Sequence, residues 1–422
     1  MAAQAPPPLL LQGCRVLDTV LGECSETLFD VLIADGLVRA IQACGSAQPA
    51  GGEAAAGARV IDCGGRVLMP GLLDAHVHCT ACTANLPGLM SLPESLVAAR
   101  AARILEGMLL RGFTTVRDAG GADWGLAQAV EEGTILGPRL LFTGHALSQT
   151  GGHGDMRGKG EDFCACGAAL RGIGRVCDGI PEVRKAARDE LRKGAHCIKV
   201  MASGGVASPT DRLTNTQFAL DELRAIVEEA EAAGTYVCAH AYTAKAIRRA
   251  VECGVRSIEH GNCLDEATAH LMAQRGTYLV PTLITYHQLL EGGAAAGMAP
   301  ELVAKVGSLV EQGLASLRLA AQHGVEMAFG SDLLGDLHGA QLREFELRSR
   351  VLPAKDLIRS ATVTAANVFM MGDQLGRVAE GYAADLLLLD GNPLEDVSVL
   401  WQPEQRLRLI LRGGRVVKEA LQ

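Results

Sequence analysis

The stretch Met69 to Cys79, MPGLLDAHVHC, decides how the rest of the chain is read. An apolar run from Val67 to Leu73 leads into an acid, Asp74, and then two imidazoles, His76 and His78. Successive side chains of a β-strand point to opposite faces, so His76 and His78 face the same way. Burying polar groups without partners costs about 1 to 3 kcal/mol each. Two imidazoles on one rigid strand are therefore either hydrogen-bonded at the strand end or half of a metal site.

Working outward, Leu9 to Ile41 reads as short strands and turns, with Asp35-Gly36 as a hairpin turn. Ala43 to Ala58 is rich in Gly, Ala and Pro and reads as a loop, and Arg59 to Leu68 as a further strand pair. The same texture returns after Met371, in GRVAEGYAADLLLLDGNP and RLRLILRGGRVVKE. Both ends are thus expected to build one small β-sandwich around a central domain, with boundaries at 1–66, 67–371 and 372–422.

That middle alternates strand-like and helix-like segments. Eight strands are expected: Val67 to His78, Thr114 to Ala119, Arg139 to Gly144, Cys197 to Gly204, Val237 to Tyr242, Ser257 to Gly261, Tyr278 to Leu283 and Met327 to Asp332. Helices are expected at Glu94 to Arg111, Pro181 to Lys193, Leu220 to Ala233, Thr243 to Cys253, Asp265 to Arg275 and Leu302 to His323. Several end at a glycine (Gly112, Gly194, Gly234, Gly254, Gly324), as left-handed C-caps do. The pattern predicts an α/β fold, a (β/α)8 TIM barrel with its active site at the C-terminal ends of the strands.

Those strand ends carry His76 and His78 on strand one, Lys199 on strand four, His240 on strand five, His260 on strand six and Asp332 on strand eight. Any one of them has a structural explanation, but their convergence on one barrel mouth points to a metal centre. Tyr242 shares a strand face with His240 and is placed to polarise a scissile carbonyl or meet a substrate carboxylate. The run Ser203, Gly204 and Gly205 lets backbone approach a ligand closely. Arg117 and Asp118 are expected to pair with each other, and His338 is a further candidate for substrate contact. Cys79, Cys82, Cys164 and Cys166 lack zinc-finger spacing and read as incidental thiols.

Composition narrows the class. The 422 residues are 48% hydrophobic and 21% charged, a globular balance, with a formal net charge of −9 and scattered basic residues that argue against nucleic-acid and acidic-membrane partners. Thirteen cysteines in a long chain read as free thiols of a reducing compartment, the cytoplasm by default. The opening MAAQAPPPLLLQG has no basic n-region and only three consecutive leucines, so no secretory signal is expected, and no apolar run approaches the ~20 residues that span a bilayer.

With these motifs in place the chain resembles the amidohydrolase superfamily, in the branch of Xaa-Pro dipeptidases, imidazolonepropionase-like hydrolases and ochratoxin-hydrolysing enzymes. The resemblance is carried by DAHVH (Asp74 to His78), TTVRDAG (Thr114 to Gly120), TGGHGD (Thr150 to Asp155), IKVMASGG (Ile198 to Gly205), HAYT (His240 to Thr243), IEHG (Ile258 to Gly261) and GSD (Gly330 to Asp332). It implies that His76 and His78 bind the more buried of two divalent metals and that His240 and His260 bind the more exposed one. Lys199, carboxylated on its amine, would bridge both, while Asp332 would ligate the buried metal and handle protons. It also implies substrate contact by His153 and a homo-oligomer. The chemistry agrees: an ammonium cannot ligate, but a desolvated amine can take up CO2 and become a bidentate anion. Imidazole and carboxylate ligands suit Zn2+, with Mn2+, Co2+ or Ni2+ as substitutes, and a water bridging two ions ionises near neutral pH. The expected activity is hydrolysis of the C-terminal amide of dipeptides or N-acyl amino acids, ochratoxin-type amides included, with Asp332 passing the proton to the leaving amine. Hydrolysis of cyclic amides, deamination and a non-catalytic scaffold are the alternatives; Lys199 disfavours a deaminase, and no ligand is missing as a scaffold would require. The loops Cys79 to Pro93, His145 to Ile180 and Thr285 to Ala299 are expected to set which amides are accepted.

Overall fold

The computed structural model describes residues 7–46, 57–162 and 172–421. Its terminal strands are β1 (Leu9–Asp18), β2 (Glu23–Cys24), β3 (Phe29–Ala34), β4 (Leu37–Ala43), β5 (Arg59–Asp62) and β6 (Val67–Pro70). Asp35 and Gly36, both at positive φ, turn β3 into β4, as the Asp-Gly pair requires. The long β1 pairs with β3 and β5 near its start and with β6 near its end. The central strands are β7 (Leu72–Val77), β8 (Phe113–Asp118), β9 (Arg139–Phe142), β10 (Ala146–Ser148), β11 (Gly174–Val176), β12 (Ile198–Met201), β13 (Val237–Thr243), β14 (Ser257–Cys263) and β15 (Tyr278–Val280). The last three are β16 (Leu386–Leu389), β17 (Leu407–Arg412) and β18 (Arg415–Glu419).

Both ends of the chain meet in one nine-stranded sheet of order β18-β17-β16-β6-β1-β3-β4, with β2 and β5 also on β1. β16 lies antiparallel to β6, Leu387 opposite Met69. Alternate residues of these strands, among them Leu9, Leu11, Val31, Ile33, Leu386, Leu388, Leu409 and Leu411, close into a shared apolar core.

The central strands pair in parallel, as alternation with helices demands. Among the described residues they form two arcs rather than a continuous eight-stranded ring: β7-β8-β9, and β11-β10-β12-β13-β14-β15. His196 N donates to Phe142 O across one gap, at 2.8 Å. The other gap holds the segment expected as an eighth strand, Met327 to Asp332. It is not a regular strand: a single bridge joins Met327 to Leu279, while Phe329 O accepts from Ala75 N at 2.8 Å. The segment cannot continue as a strand because Asp332 takes a left-handed φ of 53°, and at Gly330 a Cβ would come within 2.5 Å of Val280.

Helices α1 (Leu86–Leu89), α2 (Glu94–Leu110), α3 (Trp124–Glu131), α4 (Ile180–Arg192), α5 (Leu220–Ala232), α6 (Ala244–Glu252) and α7 (Glu266–Arg275) fill the connections. The five glycines expected as C-caps all have positive φ. Two expectations are corrected. Thr285 to Ala299 is largely helical, in α8 (Leu283–Gly292), and the helix expected from Leu302 to His323 is broken into α9 (Pro300–Ala304) and α10 (Leu309–Gln322) around Gly307, whose φ is 46°. No described helix is long and apolar enough to cross a membrane.

Candidate metal centre

β7 delivers His76 and His78 to one face, with their Nε2 atoms 3.3 Å apart. Asp332, at the left-handed bend, has Oδ1 3.5 Å from Nε2 of His76 and 3.3 Å from Nε2 of His78. Two backbone donors, Ser331 N and Asp332 N, hold that bend against His76 O. β13 and β14, in register with each other, bring His240 and His260 to a ring separation of 4.7 Å, and His260 stands 4.9 Å from His76. His260 also has positive φ, 75°. Non-glycine residues rarely hold that conformation, and two at one site are the kind of strain a functional centre keeps. Lys199 projects from β12 and is buried among these groups. Ligand atoms of His76, His260 and Asp332 lie within 4.8 Å of one another.

Burial dominates the electrostatics. It holds the His78 imidazole down to about 4 and pushes His76, His240 and His260 well below the ordinary histidine range, so all four rings are neutral at pH 7. Burial also lowers the Lys199 ammonium, against the pull of the Glu259 carboxylate, and raises Asp332 to about 7.

The hydrogen-bond partners of three rings fix where the ring proton sits. His78 Nδ1 lies 2.9 Å from Gly120 O and His240 Nε2 lies 3.1 Å from Gly204 O, and carbonyls only accept. His76 Nδ1 lies 2.8 Å from Oε2 of Glu259, whose other oxygen accepts from Arg117 Nη2 at 2.7 Å. The lone pairs of His76 Nε2, His78 Nε2 and His240 Nδ1 therefore stay bare. Two bare lone pairs 3.3 Å apart repel unless a cation lies between them. This donor set fits divalent metal ions.

Lys199, Tyr242 and His153 line the same cavity as the four histidines and Asp332, with apolar walls including Leu86, Ile173, Val206 and Leu289. Tyr242 stacks on His260, rings 5.2 Å apart, and its hydroxyl accepts from Tyr286 Oη at 3.0 Å. His153, although in a loop, is buried and stacks on His240 at 4.2 Å. Ser203, Gly204 and Gly205 stand behind these rings rather than on the cavity wall: Ser203 Oγ accepts from Tyr242 N at 3.1 Å, Gly204 O holds His240, and Gly205 lies under the His153 ring. His338 sits outside the cavity in the 3-10 turn Gly335–Ala340, its Nε2 buried and unpartnered and its imidazole held to about 3 by burial.

Arg117 and Asp118 do not pair, because consecutive strand residues point to opposite faces. Arg117 reaches Glu259 and Ala75 O, whereas Asp118 accepts from the backbone of Cys79, Gly120 and Ala122. Cys79 and Cys82 are free thiols; Cys164 and Cys166 lie outside the described residues. Sequence reasoning missed Glu259, Tyr286, Ser208 and Asp211. The IEHG motif contains Glu259, but its partner His76 is 183 positions away.

Parallel strands that aim neutral imidazoles, a buried lysine and a carboxyl of raised pKa into one cavity define a metallohydrolase-type centre of an α/β protein. The chain belongs to the amidohydrolase family, whose model matches residues 67–416. It is a hydrolase acting on amide bonds, and its relatives give its central part a TIM-barrel-containing α/β fold. It is similar to a prolidase solved in complex with N-methylphosphonate-L-proline, with 50% identity over 98% of this chain and 100% of that one and a TM-score of 0.93. The ochratoxinase of Aspergillus niger is 35% identical over 366 residues, 83% of this chain and 76% of that one. Its crystal structure matches with a TM-score of 0.85, over 99% of this chain and 96% of that one at 29% identity. A Xaa-Pro dipeptidase with methionine in its active site is 28% identical over 97% of this chain and 100% of that one, with a TM-score of 0.81.

Proposed function

We propose that this hydrolase depends on two divalent metal ions, Zn2+ in the first instance, and cuts the C-terminal amide bond of dipeptides or N-acyl amino acids. The observation that carries the reading is the direction of the imidazole lone pairs of His76, His78 and His240, set by Glu259, Gly120 and Gly204, with Asp332 facing the first two. His76, His78, His240, His260 and Asp332 would hold the ions, with Lys199 carboxylated on Nζ as the bridging ligand. When bound, the ions polarise a scissile carbonyl and acidify water at neutral pH.

The remaining steps belong to the chain. Asp332 takes a proton from the attacking water and returns it to the leaving amine. Tyr242, whose hydroxyl oxygen accepts the Tyr286 hydrogen bond, keeps its own O–H for a substrate oxygen. His153 meets the carboxylate of the leaving residue. The apolar walls exclude water and favour uncharged side chains. A prolidase and an ochratoxinase among the relatives support both halves of this substrate class. The same reading closes the two arcs and the 327–332 segment into a (β/α)8 barrel over residues 67–371. Residues 1–66 and 372–422 then form a β-sandwich beside it.

The test is a library of dipeptides, N-acyl amino acids and their C-terminal carboxamides, assayed with metal-loaded enzyme alongside elemental analysis. Turnover of free acids with about two ions per chain is expected. Equal turnover of acids and carboxamides would remove the carboxylate requirement and favour cyclic amides, and less than one ion per active chain would remove the binuclear centre.

A further inference from the structure

Behind His153 lies a buried polar chain that serves no ligand of the metal centre directly. His153 Nδ1 is 2.7 Å from Ser208 Oγ, and Ser208 Oγ donates in turn to Asp211 Oδ1. Asp211 Oδ2 accepts from Gly205 N at 3.2 Å and from Gln217 Nε2 at 3.0 Å, while Gln217 Oε1 accepts from His153 N at 2.8 Å. Lys305 Nζ ties the same loop down, donating to Ser208 O at 2.6 Å and Asp211 O at 3.1 Å. Ser208 and Gln217 are fully buried and Asp211 nearly so. The network spans residues 153 to 305 and serves to hold one imidazole.

The proton order along this chain follows from the donor and acceptor inventory. A carboxylate accepts and does not donate, so the Ser208 hydroxyl proton goes to Asp211. The Ser208 oxygen is then the acceptor, and the proton it receives is on Nδ1 of His153. Nε2 remains as the nitrogen available to the cavity that His153 lines. The ring plane is fixed as well. It stacks on His240 at 22°, and a Cβ at Gly205 would come within 2.1 Å of it, so only glycine leaves room.

We propose that Asp211, acting through Ser208, is the positioning residue that fixes the ring and tautomer of His153 and thereby sets recognition of the substrate's free carboxylate. This rests on the carboxylate reading above and adds the residues that enforce it. Neither Asp211 nor Ser208 touches substrate. Their loss lets the ring, still stacked on His240, flip over in its plane and exchange tautomers, which weakens binding of the carboxylate end and leaves the amide chemistry at the metal centre in place.

The test compares L-leucyl-L-proline with its C-terminal amide on the metal-loaded wild type, Asp211→Asn, Ser208→Ala and Ser208→Thr. The wild type should prefer the acid. Asp211→Asn and Ser208→Ala should raise KM for the acid about tenfold, change kcat less than threefold and leave the amide's constants alone, so that the preference collapses. Ser208→Thr, which keeps the hydroxyl, should restore it. A preference that survives in Asp211→Asn and Ser208→Ala overturns the proposal, as does an equal loss of kcat on both substrates, the mark of a merely structural role. A wild type without any preference fails at an earlier step and removes the carboxylate reading together with this proposal.

Discussion

Glu259 precedes His260 on β14 and so faces away from it, toward His76 and the buried guanidinium of Arg117. Its carboxylate keeps the His76 proton on Nδ1. Glu259→Gln removes the charge that makes this partner a strong acceptor and leaves Arg117 without its counter-ion. Metal affinity should fall by about 10- to 100-fold, read by competition with a chromogenic chelator; unchanged affinity would show that His76 needs no such partner. Lys199 gives a sharper test. A lysine beside two dications is repelled unless its charge is removed or reversed, and burial already lowers its pKa. Lys199→Ala should lose bound metal and most activity while circular dichroism stays that of the wild type, and short-chain carboxylic acids with fresh metal should restore part of the turnover. Retention of about two ions with near-normal turnover would exclude a bridging lysine. The residues that converge on the cavity were legible in the sequence because each lies within a short motif on or beside a strand-like run. Glu259, Tyr286 and Ser208 were not, because what makes them matter is a partner 183, 44 and 55 residues away, and Asp211 reaches the cavity only through Ser208 and His153.

Among the elements, α8 was the least legible. It occupies a stretch rich in Gly and Ala toward its end, and what starts it is remote: Glu344 Oε2 accepts from Ile284 N, in its first turn, at 2.7 Å. Glu344, from the helix Arg343–Arg348, is fully buried, and burial raises its carboxyl from 4.5 to about 8. The folded pKa lies above the unfolded one. The stabilising contribution is therefore complete below about pH 4.5 and is lost as pH rises through about 8. Glu344→Gln keeps an acceptor and cannot ionise, so its melting temperature should gain on the wild type from pH 5 to about pH 8 and level off above. Parallel melting curves across that range would mean that Glu344 titrates normally. The eighth strand and the long helix before it failed for a related reason. Apolar periodicity foresaw both, but Gly307 and Asp332 adopt left-handed conformations that interrupt them. Asp74 then locks the irregular end, accepting from Ser331 N, Ser331 Oγ and Gln341 Nε2.

For the whole molecule, the meeting of the two chain ends could be read from their shared strand-and-turn texture, but the strand order could not, since register depends on cross-strand packing. The structure makes β16 the partner of β6 and sets Leu386 and Leu388 in the core with Leu9 and Leu68. Removing residues 372–422 would strip β6 of a neighbour and open that core to water. The truncated chain should be found in the insoluble fraction, and a soluble, cooperatively melting product would make the terminal sheet dispensable. Chelation of the intact protein should abolish turnover, with recovery on adding Zn2+. β6 has a further consequence, because only Gly71 separates it from β7, the strand of His76. On the ribosome, β6 and β7 emerge long before β16 and β17. At ~5–20 residues per second this leaves β6 waiting roughly 20 to 60 seconds for its antiparallel partner β16. The nascent chain thus carries His76 and His78 early and completes the sheet that continues from their strand last, so chaperones are needed in the interval between the two.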